Sequence, residues 1–416
     1  MTANREVVIT GLGIVSPIGI GRADFEQSLR DKQSGVAAIQ QYDNSELSVP
    51  FGAELKDFQA KLYVKPRKSL KVMCHEIQMG VASAALAVED ADLDVEQVDA
   101  DQFGVVYGCP MLYSDTVEVA DLFRHSAKDG RCDLPLFGEN FPRQLQPLWM
   151  LKYLPNMSAS HIGIAHNARG ANNSIVMGDV SSLLAIIEAT TVIQRGLCDV
   201  MLTGGTGSRL NLTGITYRGD SNLSHNADPQ KASRPFDAAR DGMVIGEASC
   251  TILLEEREHA ERRGAKILGR IAGFGTTHAG RDGVAGMSNA IARSIELCLK
   301  QAGNPAVGQV NAHGQSDKEH DVREATAIAS TVGENMPVTA PKSYFGNVGA
   351  ASGALELAAS LCTPGEVLPT LNFETPDPTC NVRVSGETQR CKAASILKLN
   401  QTGAGQAVSL LIDNVS

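Results

Sequence analysis

The sequence predicts a layered α/β protein built as two halves that share one plan, and three observations carry that prediction. Apolar strand segments alternate with helical ones along most of the chain. Two helices, at residues 180–194 and in SYFGNVGAASGALELAASL from Ser343, are almost free of charge, so each is covered on all sides and belongs between sheets. The opening VVITGLGIVSPIG is echoed by GFGTTHAG at residues 273–280, and both lightly charged helices follow a glycine-rich turn. A length of 416 residues suits one duplicated domain. We divide it into residues 1–257 and 258–416.

Taken in order, residues 7–10 form a strand that enters a glycine-rich turn, and a helix starts over 23–29. As a phosphate loop the GLG is weak, because the further glycines and the acidic residue of a dinucleotide site are not suitably spaced. The run KLYVKPRKSLK at 61–71 carries Lys61, Lys65, Arg67, Lys68 and Lys71; it is either a solvated face or a contact for an acidic partner. An amphipathic helix follows at 76–89, then a strand at 103–107 that ends at Gly108-Cys109-Pro110. Residues 111–170, rich in Pro, Asn and Gly, read as an irregular excursion over the core. The central stretch reads as a strand at 173–176, a sharp turn at Gly178-Asp179, the helix 180–194 closed by Gly196, and a strand at 199–203 ended by Gly204-Gly205. Unpaired amides and the helix dipole converge at such a turn, which makes it a place for chemistry. The second half repeats the pattern with a strand at 248–254, a helix at 255–263 and a strand at 265–274.

Composition narrows the function. Hydrophobic residues make up 43% and charged residues 20%, as expected for a soluble protein with a large core. A net charge of -10 argues against a broad nucleic-acid surface. The nine cysteines are scattered, with no CxxC and no Cys/His zinc spacing, so we expect reduced thiols and no metal. MTANRE passes straight into a strand and no apolar run reaches membrane-span length, so a cytoplasmic location is expected.

Six segments in the right order carry a family resemblance: VVITGLGIVSPIG at Val7, ASRPFDAARDGMVIGEAS at Ala232, ILLEEREHAERRGAKI at Ile252, NAHG at Asn311, PKSYFGNVGAASG at Pro341 and LPTLNFETPDP at Leu368. Together they resemble the β-ketoacyl-acyl-carrier-protein synthases over nearly the whole chain. The resemblance implies the thiolase-like fold, a duplicated five-layer αβαβα sandwich that dimerises, with acyl carrier protein as the partner that delivers substrates on its phosphopantetheine and no cofactor of the enzyme's own. In that family a cysteine at the start of the central helix is acylated and then attacks a carbanion made by decarboxylating malonyl-carrier protein. Two histidines assist, supported by a lysine and a glutamate.

Counting back from Gly196-Leu197-Cys198-Asp199, the cysteine position falls on Asp179. A carboxylate is a poor nucleophile toward thioesters, and its charge opposes the oxyanion and enolate of condensation. Asp179 also suits an N-cap, accepting the amide hydrogens of Ser181 or Ser182. By resemblance His313 is the first histidine, Lys342 the lysine and Glu324 the supporting acid, with Asp321 on the same helix. Asn347 stands where the second histidine would be, a change that an amide donor can bear. The family's loop NSFGFGGTN, which gates the acyl pocket and completes the oxyanion hole, is here NQTGAGQ, so that Thr402, Gly403, Ala404 and Gly405 form a loop without its two Phe residues.

These departures leave several readings. One is a non-condensing partner of an active ketosynthase in fatty acid, polyketide or related lipid synthesis, like a chain-length factor. Others are a malonyl-carrier-protein decarboxylase using His313 and Asn347, which requires Asp179 protonated by burial, an acyl-transfer or hydrolytic enzyme using Asp179 with His313, and an alternative nucleophile such as Cys109. The first reading expects a dimer, with the heterodimer favoured over the homodimer, Met111, Leu112 and Tyr113 set against the partner's acyl tunnel, and Lys65, Arg67 and Lys68 contacting the carrier protein.

Overall fold

In the computed structural model, which describes residues 5–145, 147–391 and 393–413, two sets of five strands are joined into one continuous sheet path. The first set comprises β1 (Val7–Ser16), β2 (Phe103–Gly108), β3 (Asn172–Ile175), β4 (Val200–Ser208) and β5 (Glu247–Glu256). The second comprises β6 (Gly269–His278), β7 (Gln309–Asn311), β8 (Pro337–Thr339), β9 (Ser395–Gln401) and β10 (Gln406–Asp413). Spatial order in the first is β1-β5-β4-β2-β3, with two antiparallel pairings followed by two parallel ones. The second repeats this as β6-β10-β9-β7-β8, again two antiparallel pairings and then two parallel. The sets meet where β1 and β6 pair through Val8 with Arg270 and Ile9 with Gly269. Equal order and equal pairing sense in both halves are the structural form of the repeated plan.

Helices make the remaining layers. On the outer face of the first set lie α1 (His75–Asp90) and α2 (Asn156–Ala165); α3 (Ser181–Gln194) lies between the sets; α4 (Met287–Gln301) and α5 (Lys318–Thr331) cover the outer face of the second; and α6 (Ser352–Leu361) joins α3 in the middle. The three largest apolar cores among the described residues follow from this layering. The central one packs Leu12, Ile14, Ile186, Leu355 and Leu410 together; one outer core holds Ile77, Val81, Val105 and Ile162, the other Ile291, Ile295, Val310 and Ile328. This is the duplicated five-layer sandwich that the resemblance implies. Among the described residues no helix is long and apolar enough to cross a membrane.

The structure corrects several local expectations. β1 does not turn at GLG but continues through it to Ser16, because a Cβ on Gly13 would lie 1.8 Å from the Ser83 carbonyl oxygen of α1. In the second half a Cβ on Gly275 would lie 2.0 Å from the Ser294 oxygen of α4. These glycines let a helix lie against a strand, and no phosphate loop forms. β4 likewise runs through Gly204-Gly205 to Ser208, and a Cβ on Gly205 would lie 2.8 Å from the Ala350 oxygen, so that glycine too makes room for a neighbouring backbone. The helix expected at 255–263 is shorter, Arg257–Arg262, since Glu255 and Glu256 complete β5.

The excursion at 111–170 is mostly helical rather than irregular. It contains helices Thr116–His125 and Leu134–Gln144 as well as α2, and Asp115 and Asp133 cap the first two by accepting from Val117 N and Leu136 N. Its aromatic residues Phe123, Phe137, Phe141, Trp149 and Tyr153 touch in series, and Trp149, Lys152 and Tyr153 all donate to the Glu118 carboxylate. Residue 146 of this stretch, and residues 1–4 and 414–416 at the ends of the two halves, lie outside the described residues.

Candidate active site

The chain turns at Gly178, with φ at 60°, and a single 3-10 turn, Gly178–Val180, leads into α3. Asp179 is buried in that turn. It does not cap the helix: the residue before α3 is Val180, which makes no side-chain cap. The turn is fastened by Ser181, whose hydroxyl accepts from Met177 N at 2.8 Å and donates to the Gly178 oxygen at 2.6 Å. The Asp179 carboxylate faces away from the amides toward stronger donors. Arg209 Nη2 donates to Oδ1 at 2.5 Å, Asn347 Nδ2 donates to Oδ2 at 2.9 Å, and His313 Nε2 stands 3.9 Å from Oδ2. A guanidinium offers a buried carboxylate a charge-assisted bond that a backbone amide cannot match.

Asn347 is set before it meets Asp179. Its Oδ1 accepts from Gly349 N at 2.9 Å and from Arg209 Nε at 3.0 Å, which leaves Nδ2 facing the carboxylate. The loop after β7 that carries His313 is pinned by α5. Glu324 accepts from His313 N at 2.7 Å and Gly314 N at 2.8 Å, and Asp321 accepts from Gln315 N at 2.9 Å. Lys342 Nζ donates to His313 Nδ1 at 3.0 Å and to the His313 carbonyl oxygen at 2.8 Å. An ammonium donating to Nδ1 puts the ring proton on Nε2, which then donates to Gln315 Oε1 at 3.1 Å.

Behind this lies a buried row of charges. Lys342 pairs with Glu356 at 2.5 Å, and Glu356 is shared with Lys398, which also donates to Asn311 Oδ1 at 3.0 Å. Burial, reinforced by the Lys342 charge, pushes His313 well below its usual range and keeps the imidazole neutral. Burial raises Glu324 to about 7 against the pull of the amides it accepts, and lowers Lys398 to about 8. For Asp179 burial opposes the charge, but Arg209, then Lys342 and the Asn347 amide, outweigh it and hold the carboxyl well below the usual carboxylate range. Asp179 is therefore held ionised at neutral pH, so the protonation by burial that the decarboxylase reading requires is not met.

The structure thus brings Asp179, His313, Asn347, Lys342 and Glu324 together. The loop Thr402-Gly403-Ala404-Gly405 is the tight turn between β9 and β10, with Gly403 and Ala404 exposed and no aromatic side chain on it. It borders the turn through Thr402, whose Cγ2 would lie 3.4 Å from a Cβ on Gly178, and the residue after the loop, Gln406, brings its Nε2 within 3.3 Å of Met177 Sδ. Of the three tunnel candidates Leu112 is buried, Tyr113 is half-buried under the Arg218 guanidinium at 5.5 Å, and Met111 is 64% exposed. Lys65, Arg67 and Lys68 are all exposed, and among the described residues none of them forms an ion pair. Burial pushes the Cys109 thiol up to about 12, so it holds no thiolate at neutral pH.

Four residues of the site escaped the sequence reading. Glu356 and Lys398 had a signal: each is a lone charge in an apolar element, and a buried charge needs a partner. Arg209 and Gln315 had none, because only the fold brings them to Asp179 and His313.

With this geometry in view, residues 4–260 match the family model for the beta-ketoacyl synthase N-terminal domain and residues 268–374 the model for its C-terminal domain. The 3-oxoacyl-[acyl-carrier-protein] synthase 2 of Synechocystis sp. is 32% identical over 414 residues, 96% of each chain. The protein of that name from Staphylococcus aureus (strain COL) is 32% identical over 397 residues, 92% of each chain. Among solved structures, a beta-ketoacyl synthase from Burkholderia phymatum STM815 superposes with a TM-score of 0.89 at 29% identity, covering 99% of this chain and 100% of that one. A ketosynthase in complex with a type II PKS acyl-carrier protein gives 0.84 at 26% identity, covering 99% and 100%. The ishigamide ketosynthase/chain length factor gives 0.87 at 24% identity over the full length of both chains, a likeness of fold.

Proposed function

We propose, for a chain that belongs to the β-ketoacyl synthase family, that it does not itself condense and instead serves as the chain-length-factor-like partner of an active ketosynthase in fatty acid, polyketide or related lipid synthesis. The observation that carries this reading is the ionised Asp179 carboxylate, buried against Arg209 and Asn347 at the position that the family resemblance, counted back from Gly196-Leu197-Cys198-Asp199, implies for the acyl-accepting cysteine. Condensation develops negative charge on a thioester oxygen and an enolate, and a fixed carboxylate beside both raises the barrier. The donors that would stabilise such charge are already engaged.

The decarboxylase reading loses support on two grounds. It needs a neutral residue 179, and it needs a free His313 Nε2 proton, which Gln315 accepts. The acyl-transfer reading with Asp179 and His313 meets the same negative charge, and at 3.9 Å the imidazole makes no hydrogen bond to the carboxylate. For the partner role, the exposed Met111 and the half-buried Tyr113 are free to be covered by another subunit, and the basic run from Lys61 suits an acidic carrier protein.

The test joins activity to assembly. The purified chain is incubated with malonyl-carrier protein and acyl-carrier protein, and intact mass is measured; we expect neither acetyl-carrier protein nor a stable acyl adduct. Co-expressed with a ketosynthase that has its cysteine, the chain should copurify as a heterodimer, and Met111→Ala or Tyr113→Ala should lengthen that partner's products. A stoichiometric adduct on Asp179, a purely self-associated dimer in the presence of the candidate partner, or unchanged product lengths from a stable complex would each reject the corresponding part.

A further inference from the structure

The donors around Asp179 form a receptor independently of the side chain they hold. Arg209 Nε and Gly349 N both fix Asn347 Oδ1, so the Asn347 amide points its Nδ2 at one place whether or not a carboxylate is there. Arg209 Nη2 reaches the same place from the other side, at 2.5 Å from Oδ1. The neutral His313, locked as the Nε2 tautomer by Lys342, closes the third side with Nε2 at 3.9 Å from Oδ2. Asp179 contributes no bond that orients these groups beyond accepting from them, and it lies in a turn fastened by Ser181 instead.

We infer that Arg209 and Asn347, with the neutral His313 as a wall, constitute a binding site for a small carboxylate, and that the Asp179 side chain is its built-in occupant. The native chain is self-occluded: the loss of condensing chemistry rests on a filled anion site as well as on an absent thiol. The ligand class is set by geometry. One oxygen takes a guanidinium N–H and the other an amide N–H, a pattern a planar monocarboxylate satisfies and a spherical halide does not. Truncation to alanine removes one carboxylate group and keeps the Cβ, so the vacated space has the size of formate. This inference does not depend on the partner role, since it concerns only groups within one chain.

The experiment is rescue of Asp179→Ala by added formate, read as the thermal unfolding midpoint of the full chain. Formate should raise the variant's midpoint in a saturable way, chloride at equal ionic strength should not, and the unsubstituted protein should respond to neither. At a concentration a hundredfold above the dissociation constant, the folded-to-unfolded ratio of the variant should rise about 100-fold. Acetate, with one more carbon, should act more weakly. In Asp179→Ala/Arg209→Met the formate response should vanish. If Asp179→Ala does not fold alone, recovery of folded protein on refolding in formate but not in chloride counts the same way. Equal effects of formate and chloride, a formate response that survives loss of Arg209, or no recovery in either salt overturns the inference.

Discussion

Removing the guanidinium from the Asp179 pair is the perturbation whose effect can be worked out most fully. In Arg209→Met the carboxylate stays buried, keeps only the Asn347 amide, and faces a side chain that offers no donor; Asn347 Oδ1 also loses one of its three donors, keeping Gly349 N and Ser352 Oγ. Breaking a buried ion pair by deleting one partner costs about 3–5 kcal/mol, because the remaining charge is stranded. At 1.4 kcal/mol per tenfold this is roughly a hundredfold to several-thousandfold in the folded-to-unfolded ratio. The pH dependence gives a second signature. In the unsubstituted protein the Asp179 pKa is depressed, so its contribution is fully present above the unfolded value of about 4 and is lost only as pH falls below it. Without Arg209, burial becomes the larger influence and the pKa rises above the unfolded value, so the variant takes up a proton on folding and regains stability as pH falls from about 7 toward 5. The stability gap should therefore be widest near neutrality and narrow on acidification. Urea denaturation midpoints at a series of pH values measure it. A gap below about 1 kcal/mol near pH 7, the size of an exposed pair, or a gap that widens with acid, would refute the buried pairing.

Two further outcomes follow from the same geometry. Asp179→Cys alone should show no condensation and no stable acyl adduct by intact mass, since Thr402 and Ala404 leave the site without the family's aromatic gate; turnover restored by this single change would contradict that. Charge reversal at Lys65, Arg67 and Lys68 should weaken acyl-carrier-protein binding by about 0.6–3 kcal/mol in total, at roughly 0.2–1 kcal/mol for each exposed charge, and added salt should do the same to the unsubstituted protein. Titration by fluorescence anisotropy reads both, and binding indifferent to charge and salt would make the run a solvated face.

The fold is legible because burial leaves a mark on composition. The near absence of charge over residues 180–194 predicts a helix covered on both sides, and α3 lies between the two sheets. The echo of GLG by GFG marks the duplication but not a turn: the glycines serve close helix-to-strand packing, a long-range cause that turn propensity does not reach. The excursion hides its helices for a related reason. Its Pro and Asn content suggests loop, while the caps at Asp115 and Asp133 and a chain of touching aromatic rings make it helical. At the site, the positions carried by motifs come together, but the role of Asp179 does not follow from its neighbours in sequence. Local preference favours an N-cap; Arg209, thirty residues on, offers a stronger partner.

The interlock of Asp179 with Arg209 also constrains the routes by which substitutions could lead away from it. Replacing Asp179 first strands a guanidinium; replacing Arg209 first strands a carboxylate. Either intermediate loses about 3–5 kcal/mol from a total that for most proteins is only about 5–15 kcal/mol. A path of single substitutions back to an uncharged residue 179 therefore crosses a stability valley whichever step is taken first, whereas changes elsewhere in the chain meet no such barrier. In a lineage that has acquired both residues, descendants drift around the pair instead of back through it. Resurrected ancestors with a neutral residue at 179 should then lack arginine at 209, or carry stabilising substitutions that this chain has since lost.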